Sequence, residues 1–301
     1  MEKYELLRSK IALELPACEL ILASPVTEGQ LALAHDVHYV NAVFEGNLSA
    51  AEQREIGFPW STGMVDRART SSGATLMACK TALSEGIAAN IAGGTHHAYR
   101  DRGSGFCVFN DSAVAARSIQ LEVQRKWAST TSGAYGAFKD FKVGVIDLDV
   151  HQGNGTAKIF EHDPTVFTLS LHGAKNFPFQ KELSDLDVEL PDGCEDDAYI
   201  TALEGALAQF EDRFKADLLI FLAGADPYRG DRLGRLGLSM QGLERRDKAV
   251  FELAYSRRIP IAFSMAGGYS VPIEDTVQIN INTFRMAEQY FLQYAQNFAQ
   301  P

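Results

Sequence analysis

An apolar run that feeds straight into ionisable residues constrains this chain more than any other feature. Phe141-Lys142-Val143-Gly144-Val145-Ile146 reads as a buried strand and continues into Asp147-Leu148-Asp149-Val150-His151. In an extended chain alternate residues share a face. Asp147, Asp149 and His151 are therefore expected on one side, with Ile146, Leu148 and Val150 on the other. Three ionisable groups at one strand end are costly to bury without a partner. A divalent cation is the simplest partner, and Asp-x-His offers one oxygen and one nitrogen at the spacing of a zinc site. Taken alone, the stretch also reads as a solvated strand end that caps the following helix.

Three further runs have the same construction. Gly86 to Ile91 leads into Ala92-Gly93-Gly94-Thr95-His96-His97. Residues Asp217 to Leu222 lead into Ala223-Gly224-Ala225-Asp226. Residues Ile259 to Ser264 lead into Met265-Ala266-Gly267-Gly268-Tyr269. Each run is short and apolar, and each is followed by glycine, which permits a tight turn and close backbone approach. In open α/β sheets, ligands bind outside the carboxyl ends of the strands. Between the runs the pattern predicts helices over 73–86 (entered through Ser71-Ser72-Gly73), 111–127 with Asp111 as N-cap, 153–162, 198–214 and 243–256. Short helices are expected before residue 55, for example over 28–44. Alternating strands and helices predict an α/β fold: an open, mostly parallel sheet flanked by helices, one unit over residues 1–301, with the site at the strand C-terminal ends. The segments 98–110, 173–195 and 226–241 leave from strand ends and are expected to wall the pocket.

Composition narrows the partners. Hydrophobic residues make up 46% of the chain and charged residues 22%, as in a globular protein. The net charge of −11, from 39 acidic and 28 basic residues, lacks the basic face that nucleic acid requires. It suits a cationic partner such as a lysine-rich peptide or a polyamine. Cys18, Cys79, Cys107 and Cys194 form no C-x-x-C pair, which fits a reducing compartment. Neither a secretory leader nor an apolar run of about 18 residues is evident, so the cytoplasm is expected and no membrane partner.

Six motifs occur together in one order: Gly93-Gly94-Thr95-His96-His97-Ala98, then Gly103 to Asp111, Asp147 to Gly155, Ser170-Leu171-His172, Ala223 to Asp226 with Gly230 to Gly234, and Gly267-Gly268-Tyr269. In these the chain resembles the zinc-dependent histone deacetylase family, including its bacterial acetoin-utilisation-type members, over roughly residues 1–285. The resemblance implies a zinc-dependent deacylase that hydrolyses acetyl or longer acyl amides of lysine side chains, or of polyamines and similar amines. Zinc would be held by Asp149, His151 and Asp226. His96 would be oriented by Asp147. His97 would be oriented by Asn154 and would act as base and acid, and Tyr269 would donate to the developing oxyanion. Gly105 and Phe106 are expected to form one wall of an acyl-lysine tunnel, Phe179 (or Phe177) the opposing wall and Leu233 its floor. The resemblance also implies an inner potassium site at Asp147, Asp149, His151, Ser170 and Leu171, and an outer one at Phe160, Asp163 and Val166.

Three departures from the family pattern matter. Gln152 and Asn154 stand where class I and II deacetylases usually carry His and Asp; Gln and Asn there resemble class IV deacetylases and related bacterial proteins. Gly57-Phe58-Pro59-Trp60 lacks the rim aspartate of class I. The chain starts where family members already carry a strand and loop, so that edge strand is expected to be absent. Two other functions compete. A ureohydrolase-type metal hydrolase shares this topology but needs a second metal, and Gln152-Gly153-Asn154 supplies no ligands for one. A non-catalytic acyl-lysine binding protein should have lost a ligand, a histidine or the tyrosine, and all are present.

Overall fold

The structure, a computed structural model, describes residues 2–130 and 140–298; residue 1 and residues 299–301, the ends of the expected 1–301 unit, lie outside the described residues. In chain order the elements are α1 (Glu2–Glu14), α2 (Glu28–Leu31), α3 (Val37–Glu45), α4 (Ala50–Ile56), α5 (Thr62–Glu85), β1 (Ile87–Asn90), α6 (Asp111–Thr130), β2 (Val143–Asp147), α7 (Asn154–Ile159), β3 (Val166–Gly173), β4 (Leu186–Leu190), α8 (Asp196–Arg213), β5 (Leu218–Leu222), α9 (Met240–Arg257), β6 (Ile261–Ser264) and α10 (Ile273–Phe298).

The strands form one six-stranded sheet in the order β1-β6-β5-β2-β3-β4. Every pairing is parallel, so the mostly parallel sheet of the sequence reading is entirely parallel among the described residues. Side-chain alternation explains why both faces are covered. Val143 and Val145 of β2, with Leu218, Ile220 and Leu222 of β5, join one core against α5 and α6. Ile146, Phe221, Phe263 and the β3 residues Phe167, Leu169 and Leu171 join the other, against α8, α9 and α10.

Aromatic packing fixes α9 to the sheet. Phe251 meets Phe221 edge-on at 6.0 Å and Phe263 at 5.4 Å. Burying each ring is worth about 1.5–3 kcal/mol. The exposed pair between Arg245 of α9 and Asp197 of α8, at 2.7 Å, belongs to a class worth roughly 0–1 kcal/mol. The ring cluster therefore dominates the attachment of α9.

Several local expectations are corrected. The helix expected over 28–44 is two helices, because the Asp36 side chain accepts from the His38 amide at 2.7 Å and starts α3 afresh. The helix expected to begin at Ser71-Ser72-Gly73 begins at Thr62, capped by Ser61. Gly73 lies inside it for a packing reason: a Cβ there would lie 2.0 Å from the Ser24 carbonyl oxygen, where the preceding segment crosses the helix. The N-cap of α6 is Asn110, whose Oδ1 accepts from the Ala113 amide at 3.0 Å; Asp111 is used elsewhere. The strands β3 and β4 and the long α10 lie outside the elements that the sequence pattern predicts.

Candidate metal and acid–base centre

Strand β2 ends at Asp147, and Leu148 makes one last ladder-like bond to the Leu222 carbonyl at 3.1 Å. Beyond it the chain turns instead of continuing to alternate. The Asp149 amide donates to Asp147 Oδ1 at 3.2 Å, and the His151 amide donates to Asp149 Oδ1 at 2.9 Å. The carboxylates thus gather through a carboxylate-bonded turn, a correction to the shared strand face. Leu148 and Val150 still point into the opposite core.

Asp226 arrives from the end of β5. Its Oδ1 accepts from the Val150 amide at 2.9 Å, which locks it to the β2 turn. The Gly267 amide, from the loop after β6, donates to Asp149 Oδ2 at 2.8 Å. Asp149, His151 and Asp226 bring one ligand atom each to within 4.8 Å of one another. Three protein ligands of this type are what a catalytic zinc site uses. A cation also fits the electrostatics. Asp226 Oδ2 is buried without a hydrogen-bond partner, and burial, then Asp149, pushes the Asp226 carboxyl up to about 7. Burial opposes charge on Asp149 as well, but His96 and His151 outweigh it and hold that carboxyl well below the usual range. His151 Nδ1 lies 2.9 Å from Asp149 Oδ1 and 3.4 Å from Asp226 Oδ2.

Two adjacent histidines stand beside this cluster, with ring centroids 4.1 Å apart. His96 Nδ1 is 2.6 Å from Asp147 Oδ2, and His97 Nδ1 is 2.6 Å from Asn154 Oδ1. The amide oxygen can only accept, so His97 carries its proton on Nδ1 and its Nε2 lone pair is free to accept one. The two histidines titrate in opposite directions. Burial would lower His96, but Asp147 and then Asp149 raise it to about 9. Burial, then His96 and His151, hold His97 well below 6.5, and the neutral Asn154 offsets this only weakly. Asn154 Nδ2 donates to the Tyr99 hydroxyl at 2.8 Å, and that hydroxyl donates to Glu182 at 3.3 Å. Tyr99 carries no spacing signal and was missed in the sequence.

The histidine loop is held by the start of α6. Asp111 accepts from the Gly94 amide, from the Thr95 amide and hydroxyl, and from the Thr75 hydroxyl, at 2.6–3.0 Å. Asn110 Nδ2 donates to the Ala98 carbonyl at 3.2 Å and to Thr156 at 2.9 Å. Gln152 bridges to the wall segment: its amide nitrogen donates to the Glu182 carbonyl at 2.7 Å and to Asp187 at 2.8 Å. Lys3 is a further residue missed by sequence. Its buried ammonium donates to the Ala266 carbonyl at 3.0 Å and the Gly268 carbonyl at 3.3 Å, and sits 5.0 Å over the Tyr269 ring.

The rim residues divide. Gly105 and Phe106 are held from α4, their amides donating to Glu55 and Ile56 carbonyls, and the Phe106 ring lies 5.4 Å from Phe58. Phe177 meets the His97 ring edge-on at 4.8 Å, and a Cβ at Gly105 would lie 3.0 Å from it. Phe179 is 91% exposed, and the structure does not bring it to the site; Phe177 is the aromatic opposite Gly105. Phe106, Tyr269 and Leu233 line a shared cavity of about 1270 Å³ that continues past Tyr4 along β1. Burial raises the Tyr269 hydroxyl above its usual value, so it remains a donor at neutral pH.

Of the residues expected at potassium sites, Asp147 pairs in register with Ser170, which joins the inner group at the β2–β3 end. At the outer group the Asp163 amide donates to the Phe160 carbonyl at 2.9 Å, and the Val166 amide to the Asp163 carbonyl at 3.3 Å. Arg117 pairs with the Asp163 carboxylate at 2.5 Å.

Comparison with known proteins agrees with this geometry. Residues 2–282 match the histone deacetylase domain. An uncharacterized protein of Picosynechococcus sp. is 44% identical over 82% of this chain and 77% of its own. Histone deacetylase 2 of Arabidopsis thaliana is 34% identical over 67% of this chain and 49% of its own. The acetoin utilization protein AcuC of Bacillus subtilis is 30% identical over 79% of this chain and 63% of its own. The chain thus spans from about half to about three quarters of these relatives. The crystal structure of an HDAC homolog from Aquifex aeolicus shares the fold, with a TM-score of 0.73 at 23% identity, covering 96% of this chain and 81% of that one.

Proposed function

The chain belongs to the histone deacetylase family, and we propose that it is a zinc-dependent hydrolase of N-acetyl or longer N-acyl bonds on lysine side chains or similar primary amines. One observation carries the reading: the Asp149, His151 and Asp226 ligand atoms converge beside two histidines that have different partners. A zinc ion held by Asp149, His151 and Asp226 would supply Lewis-acid polarisation of the acyl carbonyl and activation of a water. His97, neutral near pH 7, takes the proton from the attacking water and gives it to the leaving amine. His96, kept cationic by Asp147, adds positive potential beside the developing charge. Tyr269 donates its hydroxyl hydrogen bond to the oxyanion. Phe106 and Phe177 flank the methylene stem of the amine.

The net charge of −11 favours a cationic substrate, and the chain carries no rim aspartate at Gly57-Phe58-Pro59-Trp60 to hold peptide backbone. The site therefore reads the acylated side chain more than its peptide context. No described helix is long and apolar enough to cross a membrane, and the proposed setting is the cytoplasm. Comparing kcat/KM for a minimal acyl-lysine amide and a histone-tail peptide tests the specificity. Values within about tenfold are expected. A preference of roughly 100-fold or more for the peptide, about 2.7 kcal/mol, overturns it.

A further inference from the structure

Behind the end of β5 lies an ion pair that the chemistry above does not use. Arg246 of α9 is 0% exposed. Its Nε donates to Asp247 Oδ1 at 2.8 Å, and its Nη2 lies 2.7 Å from the same oxygen. Its remaining nitrogen, Nη1, donates to the Gly224 carbonyl. Asp247 is oriented in turn, because its Oδ2 accepts from the Thr283 hydroxyl of α10 at 2.6 Å. The chain Thr283–Asp247–Arg246 thus runs through two helices and ends on one backbone oxygen.

That oxygen belongs to the residue two before Asp226. A Cβ on Gly224 would lie 2.7 Å from Asp226 Oδ1 and 2.9 Å from Asp149 Oδ2, so this stretch of backbone is pressed against both carboxylates. Any rotation of the Gly224 peptide moves the backbone that carries Asp226. Stability alone is a weak reason for a buried guanidinium, since a buried ion pair can often be replaced by apolar residues without loss. Geometry is a stronger one: a planar fork held at one end by a carboxylate offers a rigid donor at the other.

We propose that Arg246 is a positioning residue for the metal site. Aligned by Asp247, it fixes the Gly224 carbonyl and thereby sets Asp226 relative to Asp149 and His151. The inference rests on reading those three residues as zinc ligands.

Zinc affinity, measured by competition with a chromophoric chelator, reads the positioning role, and the melting temperature of metal-free protein reads any separate contribution of the ion pair to stability. Arg246→Lys keeps a charge for Asp247 but has a single nitrogen and cannot also reach Gly224. Arg246→Met with Asp247→Leu removes both charges and leaves no buried ion unpaired. Thr283→Val only loosens Asp247. Partners one step behind a metal ligand are typically worth about 10–100-fold in affinity. The Kd for zinc should rise at least about tenfold in the Lys and the Met/Leu proteins, and by less in Thr283→Val, whether or not metal-free melting changes. Folded variants that bind zinc within about twofold of wild type overturn the positioning role. A wild type with no zinc affinity overturns the metal reading itself and this inference with it.

Discussion

The floor of the site and its rim are held in place by different means. At the floor, Asp149, Asp226, His96 and His97 are buried, and backbone amides or side chains fix each of them. The positions follow from a parallel sheet whose register admits no slip without turning core residues to solvent. At the rim, Phe106 is 53% exposed, Leu233 49% and Tyr269 44%, and all three hang from loops. An error at the floor misplaces the reacting groups, whereas an error at the rim changes what is admitted. Chemistry should therefore be sensitive to floor substitutions, and selectivity to rim substitutions.

Substitutions graded by depth can break that contrast. Asp226→Asn removes from the floor a carboxylate oxygen that the proposed function makes a metal ligand. Polarisation by the metal is worth several kcal/mol, so kcat/KM for an acyl-lysine amide should fall on the order of 1000-fold, and a fall below tenfold would count against the triad. Tyr269→Phe stands at the boundary. It should lower kcat by about 100- to 1000-fold with little change in KM, because the hydrogen bond forms mainly in the transition state; unchanged kcat in folded protein removes its role. Asn154→Asp sharpens the histidine comparison. A carboxylate beside His97 favours its charged form, so the His97 pKa rises. Because the base must be neutral, the acidic limb of kcat/KM should move to higher pH, with about tenfold lost well below the limb for each unit moved. A limb that stays or moves down means residue 154 does not set the basicity of His97. At the rim, Phe177→Leu should raise KM about fivefold, from roughly 1 kcal/mol of ring contact. Phe179→Ala should change it by less than about twofold, and the reverse ranking would restore Phe179 as the wall.

The same contrast explains what could be read from sequence. Asp149, His151 and Asp226 were legible because each follows an apolar run, and strand ends in such a fold share an edge. The turn that gathers them was not, since it depends on Asp147 and Asp149 accepting from amides two residues on. The choice between Phe177 and Phe179 was ambiguous because a loop has no period to say which ring faces inward. Asp111 looked like a helix cap, yet its oxygens serve Gly94, Thr95 and Thr75, which are distant in the chain. Lys3 and Arg246 gave no local signal, because their partners lie on the Ala266–Gly268 segment and on Gly224.

The proposed function requires Asp149, His151 and Asp226 to hold one zinc ion on which hydrolysis depends. Stripping the protein with a chelator and titrating zinc back while following turnover of an acetyl-lysine amide tests it most directly. Activity should be lost on stripping and should return in proportion to added zinc, saturating at one equivalent per chain. Full turnover in metal-free protein, or saturation only at two equivalents, would contradict it.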